Sequence, residues 1–384
     1  MIYVHVPFCR SFCTYCGFYS EVAPKCRNAE DVLKQEERIE AYVSALEAEI
    51  GARKNDIDRV FASTDVNTLY IGGGTPSVLP IAAFERLVNA LGKRSYLEFT
   101  VEVNPEDIVE KGIDYVRSLL NLGVNRISMG VQSFDDGILK FMNRRHTSAQ
   151  AIEAYRILEE AGVENISVDL IFGLPQLSEL QWMETIGNAL SISASGVPPK
   201  HISAYQLSIE PDSMLEKLIV KGRFSEASGE ECRRQYEILC DALNNAGYHH
   251  YEISNFGQPG YEARHNSAYW RNVPYVGLGP GAHSYIGQVR SWNESSLESY
   301  IGASDFSMIR ASESLDSDQL AMEKIMLGLR TSAGVDEDFL MAHCDKRAVE
   351  KSLDGDLLVR IEDNRVRIPE SSFFISDNII ASII

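Results

Sequence analysis

Short apolar runs alternate with amphipathic stretches along the first 210 or so residues. The runs at 2–6, 68–71, 99–103, 126–130, 166–172 and 201–207 have the length and composition of strands. The stretches at 41–50, 82–91, 107–122, 149–161 and 180–190 have the pattern of helices. Six strands that alternate with helices in this way predict a parallel sheet with right-handed crossovers.

Six strand–helix units are too few for a complete eightfold barrel. The sequence therefore predicts an α/β fold built on an open, partial (β/α)6 barrel. In such folds the functional site lies at the carboxyl ends of the strands. Unusual residues follow directly after several predicted strands, namely cysteines, a glycine run, Glu102, Gln132 and Asp169. We expect the functional face at this edge of the sheet.

The pattern changes after the sixth predicted strand. A helix is predicted at 226–246, and 255–285 is a long, irregular stretch rich in glycine and aromatic residues. From about residue 315, short helices precede two strands that Asp363 and Asn364 join as a hairpin-like turn. We expect a barrel core at 1–225, a helix and loop-rich cover at 226–310, and a small helical, winged-helix-like C-terminal domain at 311–384.

Charge and composition exclude several classes of protein. The 384 residues include 36 Lys and Arg and 55 Asp and Glu, which gives a formal net charge of −19. This charge repels phosphate backbones, so we expect no nucleic-acid partner. No apolar run is long enough for a transmembrane segment, and the first residues do not resemble a signal peptide. We therefore expect a cytoplasmic protein whose cysteines are thiols or metal ligands.

Three cysteines lie close together directly after the first predicted strand. Cys9, Cys13 and Cys16 have the spacing Cys-x3-Cys-x2-Cys, and the next cysteine, Cys26, is out of register with them. A structural zinc ion takes four ligands, whereas three thiolates suit a [4Fe–4S] cluster with one iron left open. The alternative is three unrelated buried thiols, which the close spacing within one strand-end loop disfavours.

These cysteines belong to a set of motifs that resembles the radical S-adenosylmethionine superfamily. The motifs are Tyr3-Val4-His5-Val6-Pro7-Phe8-Cys9 with Cys13, Tyr15 and Cys16, Gly72-Gly73-Gly74-Thr75-Pro76, Glu102-Val103-Asn104-Pro105, Gly130-Val131-Gln132-Ser133-Phe134, Asp169-Leu170-Ile171-Phe172-Gly173-Leu174-Pro175 and His265-Asn266-Ser267-Ala268-Tyr269-Trp270. Together they resemble the branch that contains oxygen-independent coproporphyrinogen III oxidases and heme chaperones of the HemW type. The resemblance extends over almost the whole chain and implies a barrel of the radical S-adenosylmethionine type.

The resemblance implies that the open iron of the cluster binds S-adenosylmethionine. The implied contacts of this cofactor are Tyr3, Tyr15, Gly73, Gly74, Thr75, Glu102, Gln132, Arg144 and Asp169. The residue types suit the role, because glycine permits close approach, carboxylates accept hydrogen bonds from ammonium or hydroxyl groups, and arginine pairs with a carboxylate. Each type also has a structural alternative, such as a turn, a helix cap or a surface side chain.

Two functions stay open within this branch. The resemblance implies either oxidative decarboxylation of coproporphyrinogen III propionates through a 5′-deoxyadenosyl radical, or binding and delivery of heme. The oxidases resemble Cys-x3-Cys-x2-Cys-x-Cys, where this chain has Phe18, and they carry an N-terminal arm for which a first cysteine at residue 9 leaves no room. Both departures favour the heme chaperone and disfavour oxidase activity, although the cofactor machinery of an enzyme is present.

Heme binding is implied by the resemblance alone. His265 is the leading candidate for an axial ligand, and Tyr269 and Trp270 could cover a porphyrin face. His283 and His146 are weaker candidates, and a hydrogen-bonded structural role is an equally good interpretation of His265. The same resemblance implies two protein partners, a heme acceptor and a reductant for the cluster.

Overall fold

The computed structural model describes residues 1–22, 29–211 and 213–384. Its central element is a sheet with the spatial strand order β9-β1-β2-β3-β4-β5-β6-β8-β7. In chain order, these strands are β1 (Ile2–Val6), β2 (Thr68–Gly73), β3 (Glu98–Val103), β4 (Arg126–Gln132), β5 (Ile166–Phe172), β6 (His201–Gln206), β7 (His249–Glu252), β8 (Asn255–Gly257) and β9 (Val276–Leu278).

The first six strands are the predicted ones, and each runs parallel to its neighbour in the sheet. This confirms the α/β partial barrel. The short strand β9 adds a further parallel strand beside β1, and β8 and β7 extend the other edge in antiparallel fashion. These edge strands lie within or beside the stretch that was expected to be irregular, and their three or four residues are too few to show a clear period.

The helices of the described residues occur between and after these strands. They are α1 (Ala29–Ala52), α2 (Lys54–Ala62), α3 (Ile81–Leu91), α4 (Pro105–Asn121), α5 (Asp136–Phe141), α6 (Ser148–Ala161), α7 (Glu179–Leu190), α8 (Met214–Val220), α9 (Gly229–Asn245), α10 (Arg264–Trp270), α11 (Leu297–Gly302), α12 (Ser317–Gly328), α13 (Glu337–His343), α14 (Lys346–Asp354) and α15 (Ser376–Ile383). In the part of the chain that the structure describes, no helix has the length and apolar character needed to span a membrane.

The two faces of the parallel strands have opposite character, because successive side chains of a strand point to opposite sides. One face carries the buried apolar residues Leu69, Ile71, Phe99, Val101, Ile127, Met129, Val168, Leu170, Ile202 and Ala204, which share one hydrophobic core with the helices. The other face carries Thr68, Tyr70, Glu98, Thr100, Glu102, Arg126, Ser128, Ser167, Asp169, His201 and Ser203. Each large aliphatic side chain in the core contributes about 1.5–3 kcal/mol by burial. The core between the sheet and the helices therefore stabilises the fold, and the opposite face of the sheet can carry polar side chains.

The chain that follows β9 is fixed to α1 by a buried carboxylate. Glu49 of α1 accepts hydrogen bonds from the Gly279 backbone N–H at 2.8 Å, the Asn293 side chain at 2.8 Å and the Tyr300 hydroxyl at 2.7 Å. Arg310 donates to the same carboxylate at 3.1 Å. The loop leads into a second sheet, which is antiparallel and consists of β10 (His283–Ile286), β11 (Val289–Asn293) and β12 (Arg310–Ser314).

The C-terminal region combines short helices with a small sheet, as expected. Strands β13 (Val335–Asp336), β14 (Val359–Ile361) and β15 (Arg365–Arg367) are antiparallel, and β15 lies in the middle. The turn between β14 and β15 contains Asp363 and Asn364, whose φ angles are 58° and 55°. Two consecutive positive φ angles are typical of a tight hairpin turn. The boundaries at residues 225 and 310 stay predictions.

Candidate functional site

A cavity of about 500 Å³ opens at the carboxyl ends of the parallel strands. Its wall includes Cys9, Cys13, Tyr15, Cys16, Gly73, Gly74, Thr75, Glu102, Gln132, Arg144 and Asp169. The structure thus brings together all three cysteines and every predicted contact of S-adenosylmethionine except Tyr3. Residues that are far apart in the sequence meet here because parallel strands end at the same edge of the sheet.

The loop that carries the cysteines is held by its neighbours. Its two ends, Phe8–Cys9 and Glu21–Val22, pair in a short parallel ladder. Between them, the Thr14 N–H donates to Met142 O at 3.1 Å, and Leu215 N–H donates to Thr14 O at 3.0 Å. These contacts attach the loop to the ends of α5 and α8, so its shape depends on residues distant in sequence.

The three thiols lie in polar surroundings that fit an iron–sulfur cluster. Cys9 Sγ lies 3.4 Å from Thr75 Oγ1, and Arg144 Nη1 donates to Cys13 Sγ at 3.4 Å. Burial raises the pKa of Cys9 and raises the pKa of Cys16 to about 11. Without metal these two thiols are therefore protonated at neutral pH, and binding of iron must displace their protons.

The arrangement differs from a site for a single ion. Among the described residues, no group of three His, Cys, Asp or Glu side chains is placed to hold one metal ion. In a [4Fe–4S] cluster each cysteine binds a different iron, so the three sulfurs need to surround a shared volume rather than a point. Cys9, Cys13 and Cys16 line one cavity and meet this requirement. Cys26 lies outside the described residues.

Two glycines of the Gly72–Gly74 run permit the strand end to approach the cysteine loop. A Cβ atom on Gly74 would lie 2.7 Å from Phe8 O and 3.1 Å from Cys9 Sγ. Gly73 has a φ angle of +112°, which side chains disfavour. The predicted close approach of the backbone is therefore present, and in this structure the neighbour is the cysteine loop itself.

Asn104 connects the glycine turn with Arg144, although the sequence assigned it no role. Its Oδ1 accepts from Arg144 Nη2 at 2.6 Å, and its Nδ2 donates to Thr75 Oγ1 at 3.2 Å. The Arg144 Nε is buried and has no hydrogen-bond partner among the described residues. Buried donors are normally paired, so an unpaired arginine donor in the cavity wall fits a ligand carboxylate such as that of S-adenosylmethionine.

Two carboxylates form the inner wall of the cavity. Glu102 accepts from the Tyr70 hydroxyl at 2.6 Å and from Gly73 N–H at 3.1 Å. Asp169 accepts from Ser128 Oγ at 2.9 Å. Burial raises the pKa of Glu102 to about 7 and raises the pKa of Asp169 as well. Tyr70 lines the cavity but was not predicted; its position two residues before Gly72, on the same strand face, is the signal that could have identified it.

Gln132 has a special backbone conformation at the end of β4. Its φ angle is +69°, and the pairing of β4 with β5 shifts register between Gly130 and Gln132. Irregularities of this kind redirect side chains and concentrate at functional sites. The bulge turns Gln132 into the wall of the cavity, next to Arg144 and Asp169.

Comparison with known proteins agrees with this geometry. The profile of the radical SAM superfamily matches residues 3–188. The chain is 34% identical over 363 residues to the heme chaperone HemW of Bacillus subtilis, covering 92% of this chain and 88% of that protein. It is 36% identical over 344 residues to the heme chaperone HemW of Synechocystis, covering 87% and 78% of the two chains. The chain belongs to the HemW family.

Membership in the HemW family places the chain in the radical SAM superfamily, which implies a [4Fe–4S] cluster and S-adenosylmethionine. The fold of this HemW-family chain is also similar to the solved structure of coproporphyrinogen III oxidase (HemN) from Escherichia coli. The TM-score is 0.78 at 22% identity, covering 99% of this chain and 89% of that chain. This likeness concerns the fold alone.

Tyr3 lies behind the cavity wall of this HemW-family protein. Within the described part of the chain, Tyr3 is not among the lining residues. Its hydroxyl lies 3.0 Å from His5 Nδ1, and its ring centroid is 6.1 Å from that of Tyr70. Among the described residues, Tyr70 of the neighbouring strand lines the cavity, and the cofactor contact implied for Tyr3 stays a prediction.

The segment that was expected to bind heme also lies away from the cavity wall, except for Asn266. His265 is 1% exposed, and its two ring nitrogens lie 2.7 Å from Thr68 Oγ1 and 3.0 Å from the Tyr269 hydroxyl. Burial lowers the pKa of His265 to about 3. In this conformation His265 is a neutral, hydrogen-bonded residue of α10, and ligation of heme iron would break one of its hydrogen bonds. Tyr269 and Trp270 are half-buried.

The two weaker histidine candidates have different surroundings. His146 is buried, and its Nε2 lies 3.0 Å from Val131 O. His283 is exposed and stacks on Trp292 with a centroid distance of 5.7 Å. Neither residue is among the described residues that line the cavity.

Replacement of Asp169 by alanine is expected to weaken binding of S-adenosylmethionine by about 1–3 kcal/mol, because a hydrogen bond to the cofactor is lost. Equilibrium dialysis of anaerobically reconstituted protein measures this. Asp241→Ala changes an exposed carboxylate of α9 and should leave the affinity unaltered. Unchanged affinity in Asp169→Ala, with the fold and iron content intact, would remove Asp169 from the site.

Proposed function

We propose that this protein is a heme chaperone that carries a [4Fe–4S] cluster and an exchangeable S-adenosylmethionine and passes heme to an acceptor protein. The observation that supports this function most strongly is the 34% identity to a heme chaperone over 92% of the chain. Phe18 also supports it, because the oxidases of the branch have a cysteine at this position. Phe18 lies at the cavity and is 73% exposed.

In this proposal, Cys9, Cys13 and Cys16 hold the cluster, and Arg144, Glu102 and Asp169 hold S-adenosylmethionine. The reduced cluster with bound S-adenosylmethionine supplies one-electron chemistry. The chain itself contributes position and charge. Arg144 donates a hydrogen bond to Cys13 Sγ and places its positive charge beside the cysteines. Tyr70 and Gly73 orient Glu102 by donating to its two carboxylate oxygens.

The same proposal includes two partners and a location. An acceptor protein receives the heme, and a reductant protein delivers an electron to the cluster. The cytoplasm is the proposed location, since a reducing compartment keeps the cysteines available for metal. Heme binding by His265, Tyr269 and Trp270 stays a prediction. A His265→Ala, Trp270→Ala double variant that keeps its iron content but loses heme would support it.

One anaerobic preparation distinguishes chaperone from oxidase. Cluster-replete protein is given heme in one assay, and coproporphyrinogen III, S-adenosylmethionine and a reductant in the other. We expect binding near one heme per chain, because the chain contains a single copy of the heme-associated motif, and we expect no decarboxylated product. Multiple turnovers to that product would overturn the chaperone and establish the oxidase.

A further inference from the structure

Charged groups are buried inside the barrel, around and below the cavity. Three carboxylates face this interior, on Glu98, Glu102 and Asp169, together with the guanidinium of Arg126. Arg126 begins β4 and pairs in register with Thr100 of β3. Alternate residues of a strand share a face, so Glu98, Thr100 and Glu102 lie on one face of β3. Arg126 is beside Thr100 and therefore lies between the positions of Glu98 and Glu102. A positive charge is thus placed between two negative ones.

Within the described residues, Arg126 forms no ion pair with a carboxylate. The side chain is 1% exposed, and its Nη2 lies 3.3 Å from His201 Nδ1. Its Nε has no hydrogen-bond partner among the described residues. A buried guanidinium in this state is costly. The cost is offset only by carboxylates at longer range, chiefly Glu98, with Asp169 contributing.

A nearby cation stabilises the ionised forms of Glu102 and Asp169, the two carboxylates of the cavity wall. Burial disfavours the ionised forms of Glu102 and Asp169, and the nearby charge of Asp169 raises the pKa of Glu102 further. Arg126 acts in the opposite direction on both, lowering the pKa of Glu102 and of Asp169 relative to burial alone. Arg144 is also cationic, but it lies at the cysteines and donates to Cys13 and Asn104.

We propose that Arg126 is a positioning residue of the S-adenosylmethionine site, whose buried charge, on the sheet face shared with Glu102 and Asp169, favours these two carboxylates as acceptors of hydrogen bonds from the cofactor. This inference rests on the proposed assignment of S-adenosylmethionine to the cavity. Arg126 is not among the described residues that line the cavity, and it acts through the two carboxylates.

Several other titratable groups surround Arg126, Glu102 and Asp169. They are Tyr3 on β1, Tyr70 on β2, Glu98 on β3, Asp169 on β5, His201 and Tyr205 on β6, Tyr251 and Glu252 on β7, and His265 on α10. Burial lowers the pKa of His201 and His265 and raises the pKa of the tyrosines, so these groups are neutral near pH 7. Of these neighbours none supplies a positive charge.

The test is the pH dependence of S-adenosylmethionine affinity, measured by equilibrium dialysis of anaerobically reconstituted protein with matched iron content. In the unaltered protein, affinity should rise with pH through about 7, as Glu102 ionises. In Arg126→Met we expect the midpoint to move up by about one pH unit, and affinity at pH 7 to fall about fivefold. The affinity should recover at higher pH.

Two further variants separate charge from shape. Arg126→Lys keeps the charge and should keep the midpoint close to that of the unaltered protein. Glu98→Gln removes the carboxylate that offsets Arg126 most strongly, so the midpoint should move down. A residue with a merely structural role would not produce shifts of opposite sign in Arg126→Met and Glu98→Gln.

The outcomes distinguish this inference from the proposed function. If the unaltered protein does not bind S-adenosylmethionine, the cofactor assignment itself fails. If it binds, and Arg126→Met loses the same affinity at every pH, the inference is overturned. Should Arg126→Met not fold, an unshifted midpoint in Glu98→Gln overturns it equally.

Discussion

The triple variant Cys9→Ser, Cys13→Ser, Cys16→Ser is expected to contain no [4Fe–4S] cluster after anaerobic reconstitution. Serine has nearly the volume of cysteine, so the loop should keep its contacts with Met142 and Leu215. Its hydroxyl does not replace a thiolate as a ligand of iron. The measurements are bound iron and sulfide per chain, the visible absorption of the cluster, and thermal unfolding to show that the fold is retained.

Two single variants serve as controls for this loss. Cys344→Ser changes a half-buried cysteine of the C-terminal region, and we expect full iron content. Cys26→Ser changes the cysteine that follows the motif in the sequence, and we also expect full iron content, because the three-cysteine site leaves one iron for the cofactor. A complete cluster in the triple variant would contradict the assignment. Loss of the cluster in Cys26→Ser would show a fourth cysteine ligand.

The barrel could be predicted because its signals are local. Each parallel strand has its own apolar run in the sequence. The carboxyl ends of parallel strands meet at one edge of the sheet, regardless of the lengths of the connecting loops. Glu102, Gln132 and Asp169 do line one cavity, but the structure places them within β3, β4 and β5, whereas the sequence placed them after the strands. The cysteine spacing is equally local. The roles of these residues in the site stay predictions.

The parts that sequence reasoning missed depend on contacts between distant side chains. Asn104 joins Arg144 to Thr75, and no pattern in the sequence shows which side chain an asparagine will meet. Tyr70 of β2 lines the cavity, although the sequence did not single it out. The edge strands escaped prediction for a different reason, since strands of three or four residues show no clear period.

For His265, the sequence motif and the observed contacts indicate different roles. Its motif suggested a ligand, while its contacts are those of a structural residue. Glu98 accepts from the backbone N–H groups of Arg264 and His265 at 2.7 and 3.0 Å, which fixes the start of α10 against the amino-terminal ends of β2 and β3. The cysteines lie beyond the carboxyl ends of the same strands. The start of α10 is therefore fixed near the amino-terminal ends of these strands, although Asn266 of the same helix reaches the cavity wall.

Replacement of Gly74 by alanine is expected to destabilise the cysteine loop. The added Cβ would lie 2.7 Å from Phe8 O and 3.0 Å from Val6 O, and both are backbone atoms that cannot move aside by rotation. Gly74 N–H also donates to Val6 O at 2.8 Å, so the strand end cannot retreat without losing this bond. We expect the free energy of unfolding to fall by about 1–3 kcal/mol, and iron content to fall with it.

The matched control is Gly187→Ala. Gly187 lies within α7, and a Cβ there would meet no atom within 4 Å. Alanine favours a helix over glycine by about 0.5–1 kcal/mol, so this variant should be slightly more stable than the unaltered protein and should bind a full cluster. The two substitutions add the same methyl group and should change stability in opposite directions, because only Gly74 lies against the loop that carries Cys9. Denaturant unfolding and iron analysis of both variants measure this, and equal effects would mean that the loop is not held by the glycine turn.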